Sequence, residues 1–149
     1  MLPHSVNNEG SNQMMNDTAL FDAAIQAAEH SYSPYSHFRV GAALLCKDGT
    51  IITGANIENR SFGLTICAER NAVGTALASG RKDFVALAVA APDSGYPVSP
   101  CGACRQVLSE FLSPDCPIQF GSAPDNRVFT TMGELFPHDA LHDLSRKEH

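Results

Sequence analysis

Three cysteines and one glutamate set the tightest constraint on this chain. They lie in Thr65-Ile66-Cys67-Ala68-Glu69-Arg70 and in Ser99-Pro100-Cys101-Gly102-Ala103-Cys104-Arg105-Gln106. Each segment reads as the opening of a helix, so the fold has to bring two helix starts together. Cys101 and Cys104 are three apart at such a start, which puts both sulfurs on one face beside free backbone N–H groups that favour thiolate. Cys67 and Glu69 are two apart, and on a regular helix that spacing turns the carboxylate roughly 200° away from the sulfur. Cys67 is therefore expected at an irregular helix entrance, with Glu69 directed into a pocket. Three thiolates can hold Zn²⁺ and leave one position for water, which distinguishes a catalytic site from a closed structural one. Glu69 is then the proton carrier. Three thiolates on Zn²⁺ also leave a net charge of minus one. Arg70 and Arg105, each directly after a motif element, are expected to donate to sulfur and draw that charge off the metal.

Two other uses of the cysteines compete with this one. Cys101-Gly102-Ala103-Cys104 alone has the spacing of a redox pair, and Cys46 or Cys116 could complete a structural Cys₄ zinc site. A redox pair leaves Cys67-Ala68-Glu69 unexplained, and a closed site leaves Glu69 without work. Cys46 on an apolar strand and Cys116 between Asp115 and Pro117 read as core and loop thiols. His30, His37, His138 and His142 lack metal spacing relative to one another.

At 149 residues, with 44% hydrophobic and 17% charged, the chain fits one globular domain. A net charge of -6 with scattered basic residues argues against a surface that tracks phosphates, so no nucleic-acid partner is expected. Five cysteines cannot all pair, and Met1-Leu2-Pro3-His4-Ser5 breaks the pattern of a signal segment. The expectation is a soluble, cytoplasmic protein in a reducing compartment. Nothing approaches the ~20 apolar residues of a membrane span.

Residues 1–16 are polar and read as a flexible tail, with the catalytic domain over 17–145. From an Asn16/Asp17 cap, Leu20, Phe21, Ala24, Ile25, Ala27 and Ala28 recur at helical steps, and that helix should end near Tyr32. Arg39–Cys46 and Thr50–Ala55 read as strands joined through Lys47-Asp48-Gly49, a hairpin signal. A helix over Cys67–Ala78 should stop at Ser79-Gly80, and Phe84–Ala91 reads as a strand buried on both faces. Ser99-Pro100 should cap the next helix, which stops before Pro114. Ile118–Gly121 and Val128–Thr131 are short strands, and Thr131-Met132-Gly133-Glu134 is a capping-box start. The order α-β-β-α-β-α-β-β-α predicts a mixed α/β sheet with helices on both faces. The link from Ser122 to Arg127 is too short for a parallel crossover, so the last two strands should run antiparallel.

Cys-Ala-Glu followed downstream by Pro-Cys-x-x-Cys matches the three-cysteine form of the zinc nucleobase deaminase signature. Ser33-Pro34-Tyr35-Ser36-His37-Phe38-Arg39-Val40-Gly41-Ala42-Ala43-Leu44 and Asn56-Ile57-Glu58-Asn59, together with the second cysteine segment, resemble the small homotetrameric cytidine deaminases of pyrimidine salvage. The likeness runs from about residue 19 to residue 137. It implies a three-layer α/β/α fold on a mixed five-stranded sheet, with one Zn²⁺ per subunit on Cys67, Cys101 and Cys104. It implies that Glu69 shuttles protons in the hydrolytic deamination of cytidine and 2′-deoxycytidine. Asn56 and Glu58 would hold the ribose 3′-hydroxyl, Phe38 would lie against the pyrimidine, and the backbone around Ala68 and Ser99 would read the base edge. Neighbouring subunits of a homotetramer would complete each site. An amide next to a carboxylate suits a neutral hydroxyl, and the same carboxylate would repel a 3′-phosphate. Two departures stand out. Relatives often carry tyrosine where this chain has Phe62, and Pro137-His138-Asp139-Ala140-Leu141 replaces a segment whose aromatic ring covers the base from the neighbouring subunit. Deamination of a cytosine-bearing antibiotic such as blasticidin or of a modified base, nucleic-acid editing, and a non-enzymatic zinc or redox module are the competing functions.

Overall fold

Alanine and glycine, more than the large apolar residues, decide how the layers of this molecule meet. The computed structural model describes residues 6–145. The helices are α1 (Val6–Ala28), α2 (Ala68–Ala78), α3 (Gly102–Phe111), α4 (Met132–Leu135) and α5 (His142–Ser145), and the strands are β1 (Gly41–Cys46), β2 (Ile51–Ala55), β3 (Phe84–Ala90), β4 (Pro117–Gly121) and β5 (Val128–Thr131). They form one five-stranded mixed sheet in the order β2-β1-β3-β4-β5. β1 is antiparallel to both β2 and β3, β3 is parallel to β4, and β4 is antiparallel to β5. The short β4–β5 link therefore does what its length requires. Asn126 closes it, with Oδ1 accepting from the backbone N–H of Ser122 at 2.9 Å and of Ala123 at 3.0 Å.

The period-2 alternation of a strand divides the core into two layers. On one face Leu20, Phe21 and Ala24 of α1 pack on Ala43, Ala86, Ala88 and Ala90. On the other, Ala42, Leu44, Leu87, Val89 and Ile118 meet Ala68, Ala72 and Val73 of α2 and Cys104 and Leu108 of α3. A register shift at Leu45/Cys46 lets Phe84 point to this second face although it is out of phase with Leu87. Small residues allow close approach on both sides. A Cβ on Gly41 would stand 1.9 Å from the Ala24 carbonyl oxygen of α1, and one on Gly54 would stand 2.4 Å from the Ala72 nitrogen of α2. Both glycines are thus required by space rather than by backbone angle.

Four boundaries differ from the sequence reading by more than one residue, and α5 lies beyond the expected element order. α1 begins at Val6, so the backbone of residues 6–16, expected as a tail, is helical; residues 1–5 of that tail lie outside the described residues. Extending an existing helix adds one hydrogen bond per residue fixed, which here outweighs the poor helix propensity of Gly10, about 1 kcal/mol, and of Asn7, Asn8 and Asn12. α1 ends at Ala28, short of Tyr32, in a tightened turn where Ser31 N donates to Ala28 O at 3.1 Å. β1 begins at Gly41 rather than Arg39, because Asn56 binds the backbone on either side of that point. α3 is capped by Cys101, not by Ser99 with Pro100 as its first residue. The Cys101 sulfur accepts from Cys104 N, while the Pro100 carbonyl is taken by Arg105. The other caps are as read: Thr131 accepts from Glu134 N, and Gly80 carries the positive φ of 83° that ends α2.

The parallel pair β3–β4 and the starts of α2 and α3 create a crevice beyond the carboxyl end of β3, where ligands bind in open α/β sheets. Gly54→Ala should push α2 off β2 and cost about 3 kcal/mol or more, because backbone atoms of α2 cannot yield as a side chain would. Denaturant titration checks this, and a change under about 1 kcal/mol would contradict the close approach.

Candidate active site

Cys67 is the residue before α2 and Cys101 the residue before α3, and both are extended, with φ/ψ of −69°/157° and −68°/169°. That extension at Cys67 is the irregular entrance the two-residue spacing demands, and it leaves Glu69 on the first turn of α2, facing inward. The three sulfurs of Cys67, Cys101 and Cys104 all lie within 4.8 Å of one another, and this is the one such donor cluster among the described residues. Cys67 Sγ and Cys101 Sγ are 3.8 Å apart. A tetrahedral zinc with Zn–S bonds of about 2.3 Å has sulfur–sulfur edges of about 3.8 Å, so the donor set fits that ion. Cys46 and Cys116 are buried elsewhere in the core and take no part, and burial pushes the Cys116 thiol up to about 11.

Charge at the cluster is managed locally. The Cys67 thiol is pulled down to about 5, first by a hydrogen bond with Cys104 and then by the Arg70 guanidinium, against the opposing effect of burial. Cys104 is pushed up by the same sulfur contact and by its burial, so of the two thiols Cys67 is the first to ionise. Arg70 Nη2 donates to Cys67 Sγ at 3.3 Å, as expected of it. Its Nε is buried without a hydrogen-bond partner among the described residues, so the cation holds donor capacity in reserve beside the sulfurs. Arg105 does not share this role. Its guanidinium donates to the carbonyls of Pro100 at 2.7 Å and Leu135 at 2.8 Å and to Ser99 Oγ at 2.9 Å, which corrects the expectation of a second sulfur donor. It holds the cysteine loop to α4 instead.

Glu69 is only 3% exposed. Burial lifts its carboxyl to about 6, its own backbone N–H opposes the rise, and the neighbouring Cys67 thiolate adds to it. A carboxyl in that range can both take and give a proton near neutral pH.

A cavity of about 150 Å³ opens on the cluster. A void of roughly that size holds a single six-membered ring. Its wall includes Cys67, Cys101, Glu69, Asn56, Ala68 and Ser99 of the expected site residues. Val40, Thr65, Val89 and Val98 also line it and were not singled out from the sequence. Val89 sits in an apolar run that reads simply as a strand, whereas Thr65 opens the first cysteine segment and Val98 directly precedes the second, the one signal that could have found them. Phe38 and Glu58 stand outside that wall. Phe38 is half-buried, and its carbonyl accepts from Asn56 Nδ2 at 2.9 Å. Glu58 grips the turn ahead of Phe38, Oε1 accepting from Tyr35 N at 3.1 Å and Ser36 N at 3.2 Å and Oε2 from Ser36 Oγ at 2.5 Å. The Ser36 hydroxyl and these N–H groups hold its carboxyl below the usual range, so it stays ionised. His37, next in the chain, has φ 56°. The Glu58 and Asn56 bonds on either side hold this left-handed residue in place.

A clamp that the sequence did not disclose fixes the remaining wall. Arg39 donates to Asp93 through its backbone N at 2.9 Å, Nε at 3.0 Å and Nη2 at 2.8 Å, tying the start of β1 to the loop that carries Val98 and Ser99.

Helix starts that converge three sulfurs on a buried glutamate, on a mixed sheet with a parallel β3–β4 pair, make a site of the deaminase class that can hold a metal ion. Comparison with known proteins agrees. Residues 14–119 match the family described as the cytidine and deoxycytidylate deaminase zinc-binding region. A cytidine deaminase of Halalkalibacterium halodurans is 52% identical over 123 residues, 83% of this chain and 92% of that protein. The crystal structure of a cytidine deaminase from Burkholderia pseudomallei superposes with a TM-score of 0.77 at 43% identity, covering 80% of this chain and 95% of that one. A blasticidin-S deaminase of Bacillus cereus is 37% identical over 128 residues, 81% of this chain and 89% of that protein. The chain belongs to the cytidine deaminase family and is an enzyme of that family.

The Arg39–Asp93 clamp carries a pH dependence. Arg39 draws the Asp93 carboxyl down to about 2 from 3.8. A depressed carboxylate contributes stability that is present above about pH 4 and lost as pH falls towards 2. Asp93→Asn should therefore narrow the loss of thermal midpoint between pH 5 and pH 2. The effect should be small, since the Arg39 side chain is 37% exposed and solvent screens the pair. Identical acid profiles for the two proteins would contradict the clamp.

Proposed function

We propose that this enzyme carries out zinc-dependent hydrolytic deamination of cytidine and 2′-deoxycytidine to uridine and 2′-deoxyuridine, releasing ammonia, in pyrimidine salvage. The observation that carries the reading is a carboxyl buried to 3% exposure in the same ring-sized cavity as the three-sulfur cluster. Cys67, Cys101 and Cys104 would hold one zinc ion per chain, which would supply Lewis-acid chemistry to a water at its open position. Glu69 accepts the proton of the attacking water and delivers it to N3 of the pyrimidine as the C4–O bond forms. The same carboxyl then passes the remaining hydroxyl proton to the exocyclic amine, and ammonia leaves with the C4–N bond. The backbone around Ala68 and Ser99 faces the base edge.

The sugar lies at the mouth. A cavity of about 150 Å³ takes the base alone, which leaves Asn56, Glu58 and Phe38 to meet the ribose and the outer base face. Glu58, acceptor-only and ionised, accepts a hydrogen bond from the 3′-hydroxyl and repels a 3′-phosphate, so a free nucleoside fits better than a polynucleotide. The net charge of -6 points the same way. Phe62, 71% exposed, and Leu64, 66% exposed, sit just ahead of Cys67, and this uncovered apolar surface supports a homotetramer in which neighbours complete the site. Five free cysteines suit the reducing cytoplasm, and no helix among the described residues is long and apolar enough to cross a membrane. The blasticidin-S deaminase relative supports the second reading, a cytosine-bearing antibiotic as substrate, against which the sugar-facing pair Asn56 and Glu58 weighs.

Glu69→Gln should keep fold and zinc while turnover falls by about 10²–10⁴-fold or more, as the sole proton carrier is lost. Metal content and an ultraviolet assay check both halves, and near-normal turnover would overturn the assignment. A panel of cytidine, deoxycytidine, CMP, cytosine and blasticidin decides the substrate: turnover of blasticidin without turnover of cytidine would reverse the choice. Light scattering that showed a stable, active monomer would defeat the tetramer.

A further inference from the structure

The Asn56 side chain is almost fully engaged by the protein, and the pattern of engagement has a direction. An amide offers two lone pairs on oxygen and two N–H groups on nitrogen. Val40 N donates to Asn56 Oδ1 at 2.9 Å, and Nδ2 donates to Phe38 O at 2.9 Å. A backbone N–H cannot accept and a carbonyl cannot donate, so these two contacts fix which end of the amide is oxygen. The Ser31 hydroxyl then donates to the second lone pair of Oδ1. What remains, among the described residues, is one N–H, on a residue 7% exposed that lines the cavity.

We infer that Ser31 is a positioning residue that makes Asn56 a pure hydrogen-bond donor towards the substrate and so sets the direction in which the sugar hydroxyl is read. The inference rests on the reading that Asn56 holds the sugar. The hydroxyl oxygen accepts from Asn56, and its proton is left to the ionised Glu58. Without Ser31, Oδ1 regains a free lone pair, and the hydroxyl acquires a competing orientation in which it donates to Asn56 and loses Glu58. The fold delivers Ser31 to this place with little freedom. It ends the last turn of α1 through Ser31 N to Ala28 O at 3.1 Å. Its neighbour Tyr32 is laddered to the same segment, Tyr32 N donating to Asn56 O at 3.0 Å and Glu58 N to Tyr32 O at 2.8 Å. Ser33 Oγ, 3.0 Å from Ser31 Oγ, completes a hydroxyl pair. The end of α1 and the sugar-facing residues are thus one hydrogen-bonded unit.

The test compares cytidine with 2′,3′-dideoxycytidine, as substrates or as competitive ligands, on the intact enzyme. Ser31→Ala should raise the KM for cytidine about five- to tenfold with kcat within about twofold, the size of one neutral hydrogen bond. It should change the constant for dideoxycytidine by less than about twofold, and Ser31→Thr, which keeps the hydroxyl, should restore the cytidine KM. Ser31→Cys, of similar shape with a weak donor, should show the same split, and it serves if the alanine variant does not fold. A purely structural serine would lower the thermal midpoint and weaken both ligands alike; that result, or an unchanged cytidine KM, overturns the inference. Asn56→Ala separates the two claims. If it penalises cytidine but not dideoxycytidine while Ser31→Ala does neither, the sugar reading survives and the role of Ser31 falls. If Asn56→Ala makes no distinction between the two ligands, the sugar reading falls and the inference goes with it.

Discussion

Gathering three sulfurs at two helix starts concentrates negative charge at the edge of the core, from exposed Cys101 to buried Cys104, and much of the surrounding structure answers that problem. The positive ends of α2 and α3 lie at Cys67 and Cys101, the backbone N–H of Cys104 reaches the Cys101 sulfur at 3.5 Å, and Arg70 reaches the Cys67 sulfur. Burial, with the Cys67 thiolate adding to it, keeps Glu69 from ionising as readily as a surface glutamate. One local arrangement therefore acts on both the sulfurs proposed to hold zinc and the carboxyl proposed to carry the proton. Either could be moved only by disturbing the other.

Geometric convergence depends in turn on how closely the helices can lie on the sheet. Gly54 brings β2 against the first turns of α2, and Gly41 brings β1 against α1. From there the constraint passes to the substrate side. The end of α1 carries Ser31, Asn56 binds the backbone at Phe38 and Val40, and Glu58 binds the turn at Tyr35–Ser36. Residues assigned to the sugar thus also hold their own loop, which keeps the site ordered around the left-handed His37.

Features set by local periodicity were legible in the chain. The misfit between a two-residue spacing and a 3.6-residue turn placed Cys67 outside its helix, and the short Ser122–Arg127 link required antiparallel β4 and β5. Arg70 was legible because its target lies one helical turn away. Arg105 was not, since its partner Leu135 comes from α4 and nothing local distinguishes a guanidinium bound to carbonyls from one bound to sulfur. The Arg39–Asp93 clamp, distant in sequence, was equally hidden, as was the start of α1, where polar residues 6–16 lack apolar periodicity. Thr65 and Val98 entered the cavity wall through tertiary placement rather than pattern.

Zinc K-edge X-ray absorption on the purified enzyme tests the central claim most directly. Three converging thiolates with one open position predict one zinc per chain, with three sulfur neighbours at about 2.3 Å and one oxygen or nitrogen neighbour at about 2.0 Å. Four sulfur neighbours, or a spectrum without sulfur, would contradict the account.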